Sequence, residues 1–302
     1  MAERLALYTT VYPAVEPYLA EWYASVRAQS DGGFDIWVGV DAMTPERVIA
    51  AMGAPADANI EWVIAHPGDS PARIRHDALS AIAERYDGVV LVDSDDVLEP
   101  ARVAAAREAL RRYDVSACAL RIMDGQGRDT GIVFATPCDT DPATLLPRWN
   151  VFGLSNTAYR CGILKQCLPI PDDCDLPDWL LATRAWCAGA TLAFDRTPHM
   201  RYRQYDANVA RVLTPFSSSD VQRATERVLS HYRAVLADLD RIPGPLRRQL
   251  GAAREDARAF HRAIVESPNL LSRYVDALNA LPPRYMWWWC VANPELEDVW
   301  KV

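Results

Sequence analysis

The run Val89-Val-Leu-Val-Asp93-Ser94-Asp95-Asp96 places three carboxylates directly behind four apolar residues. A short apolar run of this kind reads as a buried strand, and ligands of open α/β sheets bind outside the carboxyl ends of such strands. Residues i and i+2 of an extended segment project to the same side, so Asp93 and Asp95 can offer their oxygens together. Hard carboxylate oxygens suit Mg²⁺ or Mn²⁺ bridging a diphosphate. Arg73 and Arg75 add guanidinium groups able to fork onto phosphate oxygens. No GxxxxGK[ST] loop is present, and the first strand runs into Thr9-Thr-Val-Tyr-Pro13 rather than GxGxxG. Neither a P-loop enzyme nor a dinucleotide-binding dehydrogenase is supported. The bland alternatives are a solvated acidic turn before Pro100 and a solvent-facing helix for the two arginines.

A sheet must hold these groups, and the first 115 residues alternate β-type runs with helical patterns, the mark of βαβ units and a largely parallel sheet. Strands are expected at Leu5–Thr10, Phe34–Val40, Ile60–Ala65 and Val89–Val92. Leu19, Trp22, Tyr23 and Val26 recur at helical spacing behind Pro17, and Ile74, Ala78, Leu79 and Ile82 do so behind Ser70 and Pro71, a natural N-cap and first-turn pair. Residues 116–215 are less regular, with strands expected at Ser116–Ile122 and Gly131–Phe134 around the turn Asp124–Gly127, then loops rich in Pro and Asp. Such segments usually hold substrates over a rigid sheet. From Ser219 the pattern is helical: Ser219 and Gln222 suggest a capping box, and Val221 to Leu239 form one apolar stripe. Two further helices, Leu246–Ile264 and Leu270–Leu281, precede Arg284-Tyr-Met-Trp-Trp-Trp289. The expected organisation is an α/β domain over 1–215, split into halves 1–115 and 116–215, with a helical extension over 216–302.

The chain has 302 residues, half of them apolar and 24% charged, so it can bury a large core and is not a disordered protein. A net charge of −8 speaks against nucleic acid as a partner. No apolar run approaches the roughly 20 residues of a bilayer span, and MAERLALYTTVYP lacks a signal-peptide pattern, so the expectation is a cytoplasmic protein. Seven cysteines without a CxxC pair read as reduced, buried thiols, and the spacing of Cys161, Cys167 and Cys174 is too loose for a structural zinc site.

Several segments together resemble glycosyltransferase family 2, over about Leu5–Asn208. Tyr18–Ser30 is similar to the first helix of that family, and Val38-Gly-Val-Asp41 to its second strand. Ala72-Arg-Ile-Arg75-His-Asp-Ala-Leu79 resembles its Ala-Arg-Asn-x-Gly segment, and Asp93-Ser-Asp95-Asp96 its Asp-x-Asp-Asp motif. Phe152–Arg160 looks like the stretch preceding the acceptor site, and Leu176-Pro-Asp178–Gly189 like the Glu-Asp helix. The resemblance implies a GT-A fold, a Rossmann-like mixed and mostly parallel sheet flanked by helices. It also implies an inverting transferase that moves a sugar from a nucleotide-sugar donor to a glycan or lipid-linked acceptor, as in bacterial surface polysaccharide synthesis.

On this resemblance Asp178 is the catalytic base. Thr10, Tyr12, Asp41, Arg73, Arg75, Asp93, Ser94 and Asp95 face the donor, with Asp93 and Asp95 on the divalent metal. Asn156, Trp179, Arg203, Gln204 and Tyr205 face the acceptor. Two departures stand out. Pro177 replaces the Glu, and in Tyr202-Arg-Gln-Tyr205-Asp-Ala-Asn208 the aromatic Tyr205 takes the place of a His that can ligate the metal. A neutral phenol is a poor ligand for a hard ion, which leaves Asp95, diphosphate and water; His199 substitutes only if its loop folds back. A nucleotidyltransferase making nucleotide-sugars would need a Gly-rich basic loop after the first strand, and a non-catalytic scaffold of the same fold stays open beside the enzyme. Asp178 can equally cap the helix Trp179–Ala188. The Trp tail is open between core packing, an oligomer interface, a sugar platform and a membrane-interface anchor, the last joined by Arg247, Arg248, Arg254, Arg258 and Arg262 as peripheral membrane contacts.

Overall fold

The computed structural model describes residues 3–205 and 208–301, so Asp206 and Ala207 of the Tyr202–Asn208 segment lie outside the described residues. Three β-α units open the chain: β1 (Leu5–Val11), α1 (Leu19–Arg27), β2 (Phe34–Val40), α2 (Pro45–Met52), β3 (Ile60–Ile64) and α3 (Pro71–Arg85). Next come β4 (Gly88–Leu91), the two-residue β5 (Val97–Leu98), α4 (Arg102–Leu110), β6 (Val115–Asp124), β7 (Asp129–Phe134) and β8 (Thr157–Arg160). Helices α5 (Cys161–Cys167) and α6 (Pro177–Cys187) precede the long β9 (Leu192–Gln204), and α7 (Ser218–Val235), α8 (Gly244–Glu266), α9 (Pro268–Ala280) and the short α10 (Glu297–Trp300) close the chain.

The strands form a nine-stranded sheet in the order β3-β2-β1-β4-β8-β6-β9-β5, with β7 paired to β6. The run β3-β2-β1-β4 is parallel, β8 is antiparallel to both of its neighbours, and β6 and β9 run parallel to each other. This is the expected mixed, mostly parallel α/β sheet. Strands β1 and β4 are buried almost throughout, as helices on both faces require, and that is why their sequences are apolar without alternation. In α3 the Ser70 side chain accepts from the Arg73 N–H at 3.1 Å and Pro71 fills the first turn, while Ala72, Ala78, Leu79 and Ile82 face the core.

Local differences from the expected elements have physical causes. Pro17 belongs to a 3₁₀ turn over Pro13–Tyr18, and α1 starts only at Leu19. The capping box of α7 is Ser217 with Asp220, two residues ahead of Ser219 and Gln222. Strand β9 runs through what reads as Pro- and Asp-rich loop. Its pairing with β6 jumps from Cys118↔Asp195 to Ala119↔Pro198, and this bulge absorbs the proline that a regular ladder would exclude.

The C-terminal helices pack on the sheet domain through aromatic side chains. Trp179 of α6 stacks on His231 of α7 with centroids 3.9 Å apart and lies parallel to Trp288 at 6.4 Å. Trp287 meets Phe134 at 4.3 Å, and Asn150 pairs with it through an isolated backbone bridge. All three tail tryptophans are at most 4% exposed. Core packing is therefore their main role and a membrane anchor is not available to them, although Trp288 also reaches the wall of a cavity. Arg254 and Arg258 pair with Glu255, and Arg247 donates to backbone carbonyls. Among the described residues no helix is long and apolar enough to cross a membrane.

Candidate active site

The carboxyl ends of β1, β2 and β4 converge on one edge. Val11 pairs with Val40, Tyr8 with Leu91, and the Asp41 N–H donates to the Val11 carbonyl at 2.9 Å. This register puts Thr10, Tyr12, Asp41 and Asp93 side by side. Gly39 sits where a Cβ would lie 2.8 Å from the Tyr8 hydroxyl and 2.9 Å from the Ile74 side chain, so the close approach of α3 to this edge depends on a residue without a side chain. The Ser94 hydroxyl donates to the Thr10 carbonyl at 2.8 Å, tying the acidic turn to the end of β1. Tyr12 stays 39% exposed at the mouth.

Each carboxylate of the turn has a different partner. Asp96 is buried; it accepts from the Ser155 hydroxyl and from the Arg203 backbone N–H at 2.7 Å. Asp95 accepts from the Tyr205 hydroxyl at 2.7 Å. The Asp93 N–H reaches the Ser155 hydroxyl at 3.3 Å, and its carboxylate has no hydrogen-bond donor among the described residues. Burial and the neighbouring Asp95 charge push Asp93 up to about 7, against the opposing pull of Arg75. Burial also raises Asp95 and Asp96 above the ordinary carboxylate range. Desolvation, with mutual repulsion at Asp93 and Asp96, therefore disfavours ionisation of this turn, and a bound cation would favour it.

Asp178 joins this group from α6. It lies at the second position of the helix, after Leu176 as N-cap and Pro177, so it is not itself the cap. The Asn150 side-chain amide donates to its Oδ2 at 2.8 Å. Burial pushes Asp178 up to about 6, opposed by the Trp179 N–H, Arg75 and Asn150. Asp178 in turn acts on Asp93, so Arg75, Asp93 and Asp178 share one field. Arg75 and Asp93 also line a small hollow with Tyr8, Thr10 and Leu154.

Several expected site residues stand elsewhere. Arg73 points away from the acidic turn: it pairs with Asp77 at 3.1 Å and lines a surface cleft with His66, Asp69 and Asp172. Asn156 is fully buried and spends its side chain on the Gly153 N–H and the Cys118 and Val151 carbonyls, so it shapes the 151–156 loop and meets no acceptor. Trp179 is enclosed, its indole N–H donating to the Leu146 carbonyl at 2.9 Å. Arg203 is 2% exposed and runs inward to the Asp95 carbonyl at 2.8 Å and Glu21 at 2.6 Å, across the Tyr18 ring. It holds the acidic turn and is not open to an acceptor. Gln204 braces the following loop through Ala210 and Val212, yet it lines a cavity together with Tyr205. His199 pairs with Asp195 on its own strand, remote from the position needed to replace Tyr205.

Asn150, Ser155 and Glu21 are site-holding residues that sequence reasoning missed. Glu21 and Ser155 lie in segments that resemble the family but are not singled out there, and Asn150 lies outside any such segment, so only the folded geometry reveals their partners.

The residues fit a hard divalent cation in chemistry. Asp93 and Asp95 are both partly exposed, and the Asp95 and Asp178 charges act on Asp93 against the single pull of Arg75. Among the described residues no group of three or more His, Cys, Asp or Glu forms a metal cage, and the Tyr205 hydroxyl takes one oxygen of Asp95.

No protein-family model and no curated protein sequence matches the chain. Solved structures do. S. aureus TarS 1–349 in complex with UDP-GlcNAc aligns with a TM-score of 0.54 at 16% identity, covering 91% of this chain and 87% of that one. Full S. aureus TarS aligns at 0.61 and 15% identity, over 93% of this chain and 50% of that one. The mannosyltransferase PcManGT from Pyrobaculum calidifontis, in complex with GDP-Man and Mn²⁺, aligns at 0.53 and 16% identity, over 92% and 79%. At this identity the likeness is one of fold, and the fold is that of these glycosyltransferases.

Proposed function

We propose that this chain is an inverting glycosyltransferase that uses a nucleotide-sugar donor, with Asp178 as general base. The observation that carries the reading is a half-buried carboxylate, pushed up to about 6 by desolvation and held by Asn150, on the same sheet edge as an acidic turn with an arginine beside it. An acceptor hydroxyl is a weak nucleophile near neutral pH. As its oxygen attacks the anomeric carbon, the proton passes to an Asp178 oxygen, and a base with a pKa close to ambient pH suits that transfer. The bond from the anomeric carbon to the diphosphate breaks on the opposite face, so the configuration inverts. Arg75 sets its guanidinium toward the charge that develops on the departing diphosphate. Asp93 and Asp95 would hold a divalent ion, Mg²⁺ or Mn²⁺, which when bound supplies further positive charge at that place.

Residues 1–115 carry the donor side in this reading, 116–215 the base, and 216–302 a wall beside the acceptor, which is a glycan or lipid-linked saccharide. The complexes of TarS with UDP-GlcNAc and of PcManGT with GDP-Man and Mn²⁺ support it by likeness of fold. The test is nucleotide release from UDP-GlcNAc, GDP-Man and related donors by the wild type and Asp178→Asn. The variant should lose about 10²- to 10⁴-fold in kcat, the usual worth of a general base, while its affinity for UDP or GDP is unchanged. Equal turnover by both proteins would refute the assignment of the base.

A further inference from the structure

Beside the acidic turn lies a cavity of about 190 Å³ whose walls come from the end of β9, the segment after it, α7 and the tryptophan-bearing tail. Tyr205, whose hydroxyl holds Asp95, forms the inner side; Phe216 and Trp288 add aromatic surface; Arg211, Asp220 and Arg223 supply the charge. We propose that this cavity is an acceptor subsite for a saccharide bearing an anionic group, a phosphate or a carboxylate. The proposal rests on the glycosyltransferase reading and narrows its acceptor to a chemical class.

Three observations lead there. Charge is the first. Two guanidinium groups share one carboxylate, and that carboxylate is already committed: Asp220 accepts from the Ser217 N–H at 2.8 Å and its hydroxyl at 2.7 Å while holding Arg223 at 2.7 Å. Arg211 approaches Asp220 only to 4.0 Å and donates its Nε–H to the Leu213 carbonyl, which leaves the cavity a net positive charge among the described residues. A guanidinium fork matches phosphate and carboxylate oxygens.

Trp288 is the second. It adopts φ +69, a left-handed conformation costly for a bulky residue, and its buried indole N–H has no partner in the protein. Backbone strain and unsatisfied buried donors gather at functional sites. Position is the third. Trp288 is one ring layer from Trp179, the neighbour of Asp178, and Tyr205 connects the opposite wall to Asp95. An occupant is thereby separated from the acidic turn by Tyr205 and from α6 by Trp288.

The test titrates the full chain with glucose 6-phosphate, glucuronate and methyl glucoside, read by ligand-observed NMR and tryptophan emission, and separately with UDP and GDP. At least one anionic sugar should bind about tenfold more tightly than methyl glucoside, equivalent to about 1.4 kcal/mol; which of the two does so identifies the group. The preference should vanish in Arg211→Ala/Arg223→Ala, with nucleotide affinity and melting temperature unchanged. In the wild type it should shrink as salt rises from about 0.05 to about 0.5 M, a result that does not depend on the variant folding. Equal binding of the neutral sugar, no binding of either anionic sugar, or a preference that survives the double variant or high salt overturns the subsite. Intact nucleotide binding together with any of these leaves the glycosyltransferase reading standing, whereas loss of UDP and GDP binding alone counts against that reading.

Discussion

Asp178 should be as costly to the fold as it is useful to the reaction. Its proton affinity is raised from 3.8 to about 6, with burial as the largest cause, and that value already contains the opposing pull of the Trp179 N–H, Arg75 and Asn150. At about 1.4 kcal/mol per pH unit, this span corresponds to about 3 kcal/mol of destabilisation whenever the group is ionised. The direction follows from linkage. The folded chain binds the proton more tightly than the unfolded one, so the penalty is full above about pH 6 and fades as pH falls toward 3.8. Asp178→Asn keeps the shape and can still accept from Asn150 through its amide oxygen, but it carries no charge. At pH 7.5 the variant should therefore be more stable by about 3 kcal/mol, several degrees in melting temperature for a chain of this size. Paired thermal and urea denaturations at pH 7.5 and pH 4.5 check this, with the gain largely lost at the lower pH. Equal stability at pH 7.5, or a gain that persists on acidification, would show that Asp178 is not held as a desolvated carboxylate, and the argument for a tuned base would go with it.

Tyr205→Phe frees the second oxygen of Asp95, so Mn²⁺ affinity measured by electron paramagnetic resonance should rise, by roughly tenfold if one hydrogen bond to a charged group is released; unchanged affinity would mean that the phenol does not compete with the ion. Arg203→Met strips a buried cation from the Asp95 carbonyl and Glu21, and urea denaturation should show a loss of about 3 kcal/mol, at the low end for a broken buried pair because Glu21 is half exposed and regains water. Gly153→Ala drives a Cβ into the Trp287 ring, which should cost about 1 to 3 kcal/mol in chemical denaturation as an overpacked contact. Turnover should also fall, because the same ring segment bridges Asn150, the partner of Asp178.

Much of this architecture is legible in the amino-acid order, and the part that is not has a consistent cause. Strands β1 and β4 and most of β2 are buried on both faces and so read as plain apolar runs, and Ser70-Pro71 announces α3 by its cap chemistry. Asp93 and Asp95 are visible because their strand ends where they begin. By contrast, β9 was hidden by Pro198 and its charges, which only the bulge against Cys118–Ala119 accommodates. Arg73 and Arg75 look equivalent in sequence, yet two residues on a helix are about 200° apart, and only Arg75 faces the acidic turn. Asn156, Trp179 and Arg203 are polar or amphipathic residues near the expected acceptor side. Whether such a residue meets substrate or closes a gap in the core is decided by contacts distant in sequence, such as Trp179 with His231 and Arg203 with Glu21.

The bridge between Asn150 and Trp287 also bears on how the chain is made. Residues 3–205 contain every strand of the sheet described, so the edge that carries the acidic turn can form while synthesis is still in progress. Asn150, however, gains its backbone partner only after residue 287 has left the ribosome. The backbone support of the residue that holds Asp178 is therefore completed only when the C-terminal segment docks, and on the proposed function a nascent chain passes through a stage with its donor side assembled and its base without that support.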